Sequence, residues 1–294
     1  MAEPSISQQE GAARRGSSPG ELSAQHRIRA RAPRDQRPTA GGWRAVLAGL
    51  IVSYRRYWNG TVVSSFLTPL LYLGGMGFGL GALVNANSGG IDGLPYVTFV
   101  APGVLASTAL QVGLAETTYS VVGGIKWQRT YHAIIATPAV PRDIVSGVAA
   151  FTTLRVLFAT TVYFLVAAAF GTVSSPLGLF AVLVSTLGGL AFAMPVMAYS
   201  AQLENEAALN IVFRFIVMPM TLFSATFFPL SQLPGWATVL AWLTPLWHAV
   251  DGSRMLTTGQ VDWPMLAVHV VILAGFTVVG YLLAVRNLTK RLVV

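Results

Sequence analysis

Three observations predict an all-α polytopic membrane protein: an apolar composition, six long hydrophobic runs, and basic residues gathered on one side of them. Of the 294 residues, 54% are hydrophobic and only 10% are charged, with a mean hydropathy of +0.61. A soluble chain carries about 25% charged residues, so lipid must solvate much of this surface. The runs lie at about 61–84, 96–125, 144–170, 177–201, 208–228 and 264–285. Each is long enough to cross a hydrocarbon core, which takes roughly 20 helical residues. Backbone groups find no water there, so the runs must be helices. The turn-rich stretch Gly-Thr-Val-Ser-Ser-Pro at 171–176 divides what is otherwise one uncharged run into the third and fourth spans.

Basic residues set the orientation. The N-terminal region, the 126–143 segment, Arg214 and the C-terminal Arg286, Lys290 and Arg291 fall on one side. Loops near 85–94 and 171–176 have no Lys or Arg, and the long 229–263 connection has only Arg254. Six spans with both termini cytoplasmic satisfy this asymmetry. A bacterial cytoplasmic membrane is the expected location. The net charge of +8 is thereby explained by topology, and nucleic acid is not an expected partner.

Residues 1–42 are rich in Ala, Ser, Gly, Pro, Gln and Arg and lack aromatics. Such a segment buries too little apolar surface to offset ordering entropy, and is expected to be a disordered basic tail facing anionic lipid. Residues 43–58 differ. Trp43, Val46, Leu47, Leu50, Ile51, Tyr54, Tyr57 and Trp58 share one helical face, with Arg44 and Arg55 opposite. This is the pattern of a helix lying in the membrane interface. Residues 59–294 then form the membrane domain.

Gly75, Gly77, Gly79 and Gly81 crowd the outer half of the first span in two Gly-xxx-Gly spacings, which permit close helix approach, more often within a subunit than across a dimer seam. Residues 227–252 contain apolar pieces interrupted by Pro229, Pro234 and Pro245, each too short to span. Two re-entrant helices in the outer leaflet are expected, with Trp236, Trp242 and Trp247 at headgroup level.

Several chemistries find no residues. Neither lysine, Lys126 before Trp nor Lys290 before Arg, completes a Gly-Lys-Ser/Thr phosphate loop. Cysteine is absent, and His26, His132, His248 and His269 are scattered without metal-ligand spacing. No catalytic residues and no metal are expected. Glu116 and Arg155 are the ionisable groups set deepest in the spans, each about 14 Å from the cytoplasmic edge at 1.5 Å per residue. A charge there is costly unless paired, so a Glu116–Arg155 ion pair is predicted, either structural or on a substrate path. Arg214 is expected to snorkel toward Glu204 and Glu206. A proton relay is disfavoured, because no series of carboxylates and histidines crosses the bundle. The basic, aromatic, Pro-bounded stretch KWQRTYHAIIATPAVPRD at 126–143 exceeds what a chain reversal needs and has the character of a surface held by a cytoplasmic partner.

From about residue 43 onward the chain resembles the permease subunits of type-2 ABC exporters, the group with nodulation-factor and daunorubicin-type export permeases. The matching stretches are Phe99-Val-Ala-Pro-Gly-Val, Thr130-Tyr-His-Ala-Ile-Ile-Ala-Thr-Pro-Ala-Val-Pro-Arg-Asp-Ile, Phe227-Phe-Pro-Leu-Ser-Gln-Leu-Pro-Gly-Trp and Leu243-Thr-Pro-Leu. The resemblance implies a coupling helix at about 126–137, an extracellular hairpin at 227–252, and a dimer of the chain with itself or a sibling permease. It also implies a separate cytoplasmic ATPase that binds ATP and Mg. On that footing, Lys126, Arg129, Thr130, Tyr131, His132, Ile135, Thr137 and Pro138 are assigned to ATPase coupling. Leu110, Gly113, Glu116, Phe213 and Val217 are assigned to the substrate path, with Phe227, Phe228, Pro229 and Leu233 at its outer gate. The cargo would be an amphiphile such as a glycolipid, lipid-linked glycan or drug. An ion-coupled carrier and a non-transporting scaffold or lipid-modifying protein are the competing readings.

Overall fold

The computed structural model describes residues 41–204 and 207–293; most of the expected disordered tail, residues 1–40, and Glu206 lie outside them. Apart from an isolated bridge between Ile91 and Leu94, the described elements are helices. Helix α1 is Gly42–Tyr54 and α2 is Trp58–Ser88. The second run, Tyr96–Lys126, breaks at Thr118 into α3, Tyr96–Thr117, and α4, Tyr119–Lys126. Then come α5, Thr130–Ile135, α6, Pro141–Ala169, and α7, Gly178–Ser200. Helix α8 is Ala207–Phe223, α9 is Gly235–Leu243, α10 is Pro245–Thr258 and α11 is Trp263–Val293.

Among the described residues, five helical runs are long and apolar enough to cross a membrane: α2, α3 with α4, α6, α7 and α11. The fifth expected span emerges as α8, whose 17 residues sit at the lower end of the spanning range. It stops before the expected residue 228 because Ala225 turns to a positive φ of 57°. The Ser224 and Thr226 hydroxyls close that turn on each other at 2.8 Å. One face of α8, with Leu209, Val212 and Met220, is buried, while Ile211, Phe215, Ile216, Met218 and Leu222 are exposed.

Helices α3 and α7 form the centre. A Cβ on Gly113 would lie 2.8 Å from the Gly189 carbonyl, and one on Gly189 would lie 2.7 Å from that of Ala109. Only hydrogen at both positions lets the two backbones touch. The glycines of α2 divide by face. Gly77 and Gly81 meet Val97 within the subunit, whereas Gly75 and Gly79 face open space. Gly75–Gly81 is also wound as a π-helix.

The two helices expected from the proline-broken connection are α9 and α10, meeting at Thr244. Their placement corrects one expectation. Trp236 and Trp242 are exposed, but Trp247 is buried, because α10 is packed into the bundle rather than laid along its surface. The Ser253 and Ser185 hydroxyls join α10 to α7 at 2.8 Å. The α10 carbonyl of Thr257 accepts from the Ser174 and Ser175 amides of the loop between α6 and α7.

Candidate coupling surface and transport path

At the basic end, α1, α4, α5 and the ends of α6, α7 and α11 share a second apolar cluster built on Val121, Ile125, Tyr131, Ile144, Met197 and Leu288. Arg129 adopts a left-handed φ of 52° and starts α5, which turns Tyr131 inward. There the ring is buried, lying about 2.9 Å from where a Cβ on Gly124 would stand. Burial raises the Tyr131 phenol above its ordinary pKa. This burial does not fit Tyr131 as a partner-contact residue; it pins the segment to the bundle. Arg129, Thr130, His132, Thr137 and Pro138 are exposed, and Ile135 is half-buried. The Thr137 hydroxyl donates to the Ile134 carbonyl at 2.6 Å and accepts from the Ala139 amide, closing the helix end. Lys126 donates through Nζ to the Glu204 carbonyl. Among the described residues, the ion pair of Glu204 is with Arg291, at 3.8 Å, rather than with Arg214, because α11 extends its basic end past the α7–α8 loop.

Deeper in, Arg155 Nε donates to Glu116 Oε1 at 3.0 Å, with the two side chains 14% and 15% exposed. The structure adds a third member. Arg155 Nη1 donates to the Tyr54 hydroxyl, and the guanidinium lies 4.4 Å from the Tyr54 ring centre. Tyr54 also meets Phe151 edge-on at 5.9 Å. Helix α1 is therefore tied by one residue, Tyr54, to the ion pair between α3 and α6. Below the pair opens a groove of about 990 Å³ between α1 and the α4–α5 segment, lined by Gly49, Tyr57, Glu116, Tyr119, Trp127 and Tyr131 among others. Burial and the nearby Glu116 carboxylate both raise the Tyr57 phenol.

The expected path residues do not form one surface. Leu110 is buried in the main core, and Gly113 is spent on the α3–α7 contact. Phe213 and Val217 on α8 are half-buried against that core. At the far end, Phe227 is half-buried and leans on Tyr72 and Phe228, each at 6.4 Å. Phe228 is exposed, Pro229 buried and Leu233 half-buried.

Sequence reasoning missed Arg254, although it stood out as the one cation of the 229–263 connection. Its guanidinium donates to the Ala225 carbonyl at 2.7 Å and the Phe99 carbonyl at 3.3 Å. It also lies 4.0 Å from the Phe99 ring centre. Arg254 thus joins α10 to the first turn of α3 and to the turn leading into Phe227 and Phe228. The Phe99-Val-Ala-Pro-Gly-Val stretch supplies both sides of that joint, since Gly103 leaves room for Thr226, whose Cα would be 2.9 Å from a Cβ there. Two of the histidines are brought together as well. His248 and His269 are in direct contact, and Asp251 meets His269.

Comparison with known proteins agrees with this architecture. The pattern of the ABC-2 type transporter family matches residues 42–257. Nodulation protein J of Sinorhizobium fredii is 32% identical over 252 residues, covering 85% of this chain and 94% of that protein. Nodulation protein J of Rhizobium meliloti is 31% identical over 257 residues, covering 86% and 95%. The Escherichia coli inner membrane transport permease YadH is 23% identical over 240 residues, covering 82% and 91%. The match spans more than two-thirds of the chain and holds α1 to α10 in order: this is a multi-pass membrane transport permease of the ABC-2 type transporter family.

Proposed function

We propose that the chain is the non-catalytic membrane half of an ATP-driven exporter in a bacterial cytoplasmic membrane, with both termini cytoplasmic. A separate ATPase subunit would bind ATP and Mg and grip the 126–138 segment. The observation that carries this reading is the build of that segment. Tyr131 locks α5 into the bundle while Arg129 and His132 stay exposed beside it, so a force applied there reaches α4 and α6 directly. The chain itself holds no lysine in phosphate-loop context, which is why the nucleotide chemistry is placed on a partner. A second copy or sibling permease is proposed to cover the exposed face of α8, with Phe213 and Val217 beside the path and Phe227, Phe228, Pro229 and Leu233 at its outer end. An amphiphile remains the cargo class, because Phe, Leu and Val offer apolar contact and few polar determinants.

Arg129→Glu with His132→Glu tests the docking surface without touching the buried Tyr131. The expected result is loss of co-purification with the ATPase by tenfold or more, with the thermal midpoint of the permease unchanged. Full retention of the complex and of ATP-driven export would remove the assignment.

A further inference from the structure

The geometry points to a single-proton site made by His248, His269 and Asp251, whose proton fastens the α9–α10 hairpin to α11. Three hydrogen bonds run in series. His248 Nε2 lies 2.9 Å from the Trp242 carbonyl, at the C-terminal end of α9. His248 Nδ1 lies 2.8 Å from His269 Nδ1. His269 Nε2 lies 3.0 Å from Asp251 Oδ2. Both imidazoles are fully buried, and the Asp251 side chain is 27% exposed.

Counting hydrogens decides the protonation. A carbonyl only accepts, so His248 Nε2 must carry hydrogen. The contact between the two Nδ1 atoms needs one hydrogen, and the His269–Asp251 contact needs another. Two neutral imidazoles and an ionised carboxylate supply two hydrogens for three bonds. The arrangement therefore holds one additional proton, either as an imidazolium–carboxylate pair or as a carboxylic acid beside neutral rings. With it the three side chains sum to zero charge. Without it, two lone pairs face each other in a buried contact, which is unfavourable where no water can intervene. Trp247 enforces that exclusion, with its ring 4.8 Å from His248 and 5.2 Å from His269, both edge-on.

The surroundings offer few other charges. Helices α7 and α9 carry no acidic or basic side chain, and α11 contributes only His269 at this depth. Arg254, one turn along α10 from Asp251, is the exception: the Asp251 and Asp92 carboxylates both act on it, Asp251 the more strongly. Asp262 accepts from the Met265 amide at the start of α11, two turns from His269. Asp251 is the partly exposed member and is the port through which the proton exchanges. The sign follows: the proton belongs to the fastened state, so fastening holds while the three side chains keep that one proton and is lost as pH rises through its release. The site stands on these contacts and assumes nothing about cargo.

The chain has no native cysteine, so Val239→Cys on α9 and Val271→Cys on α11, both exposed, can carry spin labels in lipid nanodiscs. In the native background the label-to-label distance is expected to be narrow at mildly acid pH and to lengthen or broaden at strongly alkaline pH. In the Asp251→Asn background the amide N–H supplies the third hydrogen permanently, and the narrow distance is expected to persist across the range. A pH-independent native distance, or an Asp251→Asn distance that shifts with pH as the native one does, overturns the proposal. Should Asp251→Asn fail to fold, 15N-histidine spectra of the native chain decide. Loss of one proton per chain, felt by both buried rings together, upholds the site; two independent titrations in the ordinary histidine range overturn it.

Discussion

Arg155 is held at once by a carboxylate, a phenol oxygen and an aromatic face. Removing one member strands the others in a nearly dry setting, where an unpaired charge costs more than the pair contributes. Glu116→Gln is expected to destabilise the protein by about 2 kcal/mol, because Tyr54 still shelters the guanidinium. The Glu116→Leu, Arg155→Met double variant should lose less than the sum of its single variants, read by thermal unfolding in detergent. Simple additivity would show that the two side chains do not act as a pair. Gly124 makes a second prediction at this scale. Gly124→Ala forces the Tyr131 ring outward and is expected to cost about 1–3 kcal/mol while loosening α5, so ATPase association should weaken with the fold otherwise intact. Unchanged association would separate Tyr131 packing from coupling.

Between elements, contact distance distinguishes glycines that sequence spacing treats alike. Gly189→Val is expected to push α3 off α7 and cost about 3 kcal/mol, because its Cβ meets backbone atoms at 2.7 Å. Gly79→Ala meets nothing and should be neutral or stabilising by up to about 1 kcal/mol. Parallel melting curves of the two variants check both. Hydropathy was enough to place five of the six expected spans, since burial in lipid demands long apolar runs whatever the packing; the fifth run is cut short at Phe223 by a turn that hydropathy did not show. It could not show the break at Thr118, whose backbone leaves the helical region at ψ −96°, because the polar residues around it, Glu116, Thr117 and Ser120, interrupt a run that stays apolar on both sides. Nor could it place α10. Proline and tryptophan mark membrane interfaces on average, yet Trp247 is packed inward against Trp242 and Ala241 of α9 and His269 and Met265 of α11, surfaces that sequence alone does not juxtapose. The Glu116–Arg155 pair was legible because depth along two adjacent helices is simple arithmetic. Tyr54, Arg254 and the His248–His269 contact were not, since each depends on how separate helices are turned about their axes.

At the scale of the whole molecule, the two ends of the bundle are built differently. The basic end gathers α1, α5 and the C-terminal part of α11 around one apolar cluster, a compact target for an external push. The far end is held by side chains on α10 reaching α3, the turn after α8, and α11, a set of joints that can part. Motion at one end is expected to reach the other through α3, which carries Glu116 toward the basic end and Phe99 at the far end. Arg254→Gln should therefore raise passive leakage of an amphiphilic dye from proteoliposomes severalfold while sparing ATPase association; unaltered leakage would detach Arg254 from the gate. The most direct measurement is transport by the purified permease reconstituted with and without the proposed ATPase partner. Uphill export is predicted only when both subunits and ATP with Mg are present, whatever ion gradient is imposed. Uphill movement by the permease alone, driven by a proton or sodium gradient, would contradict the account.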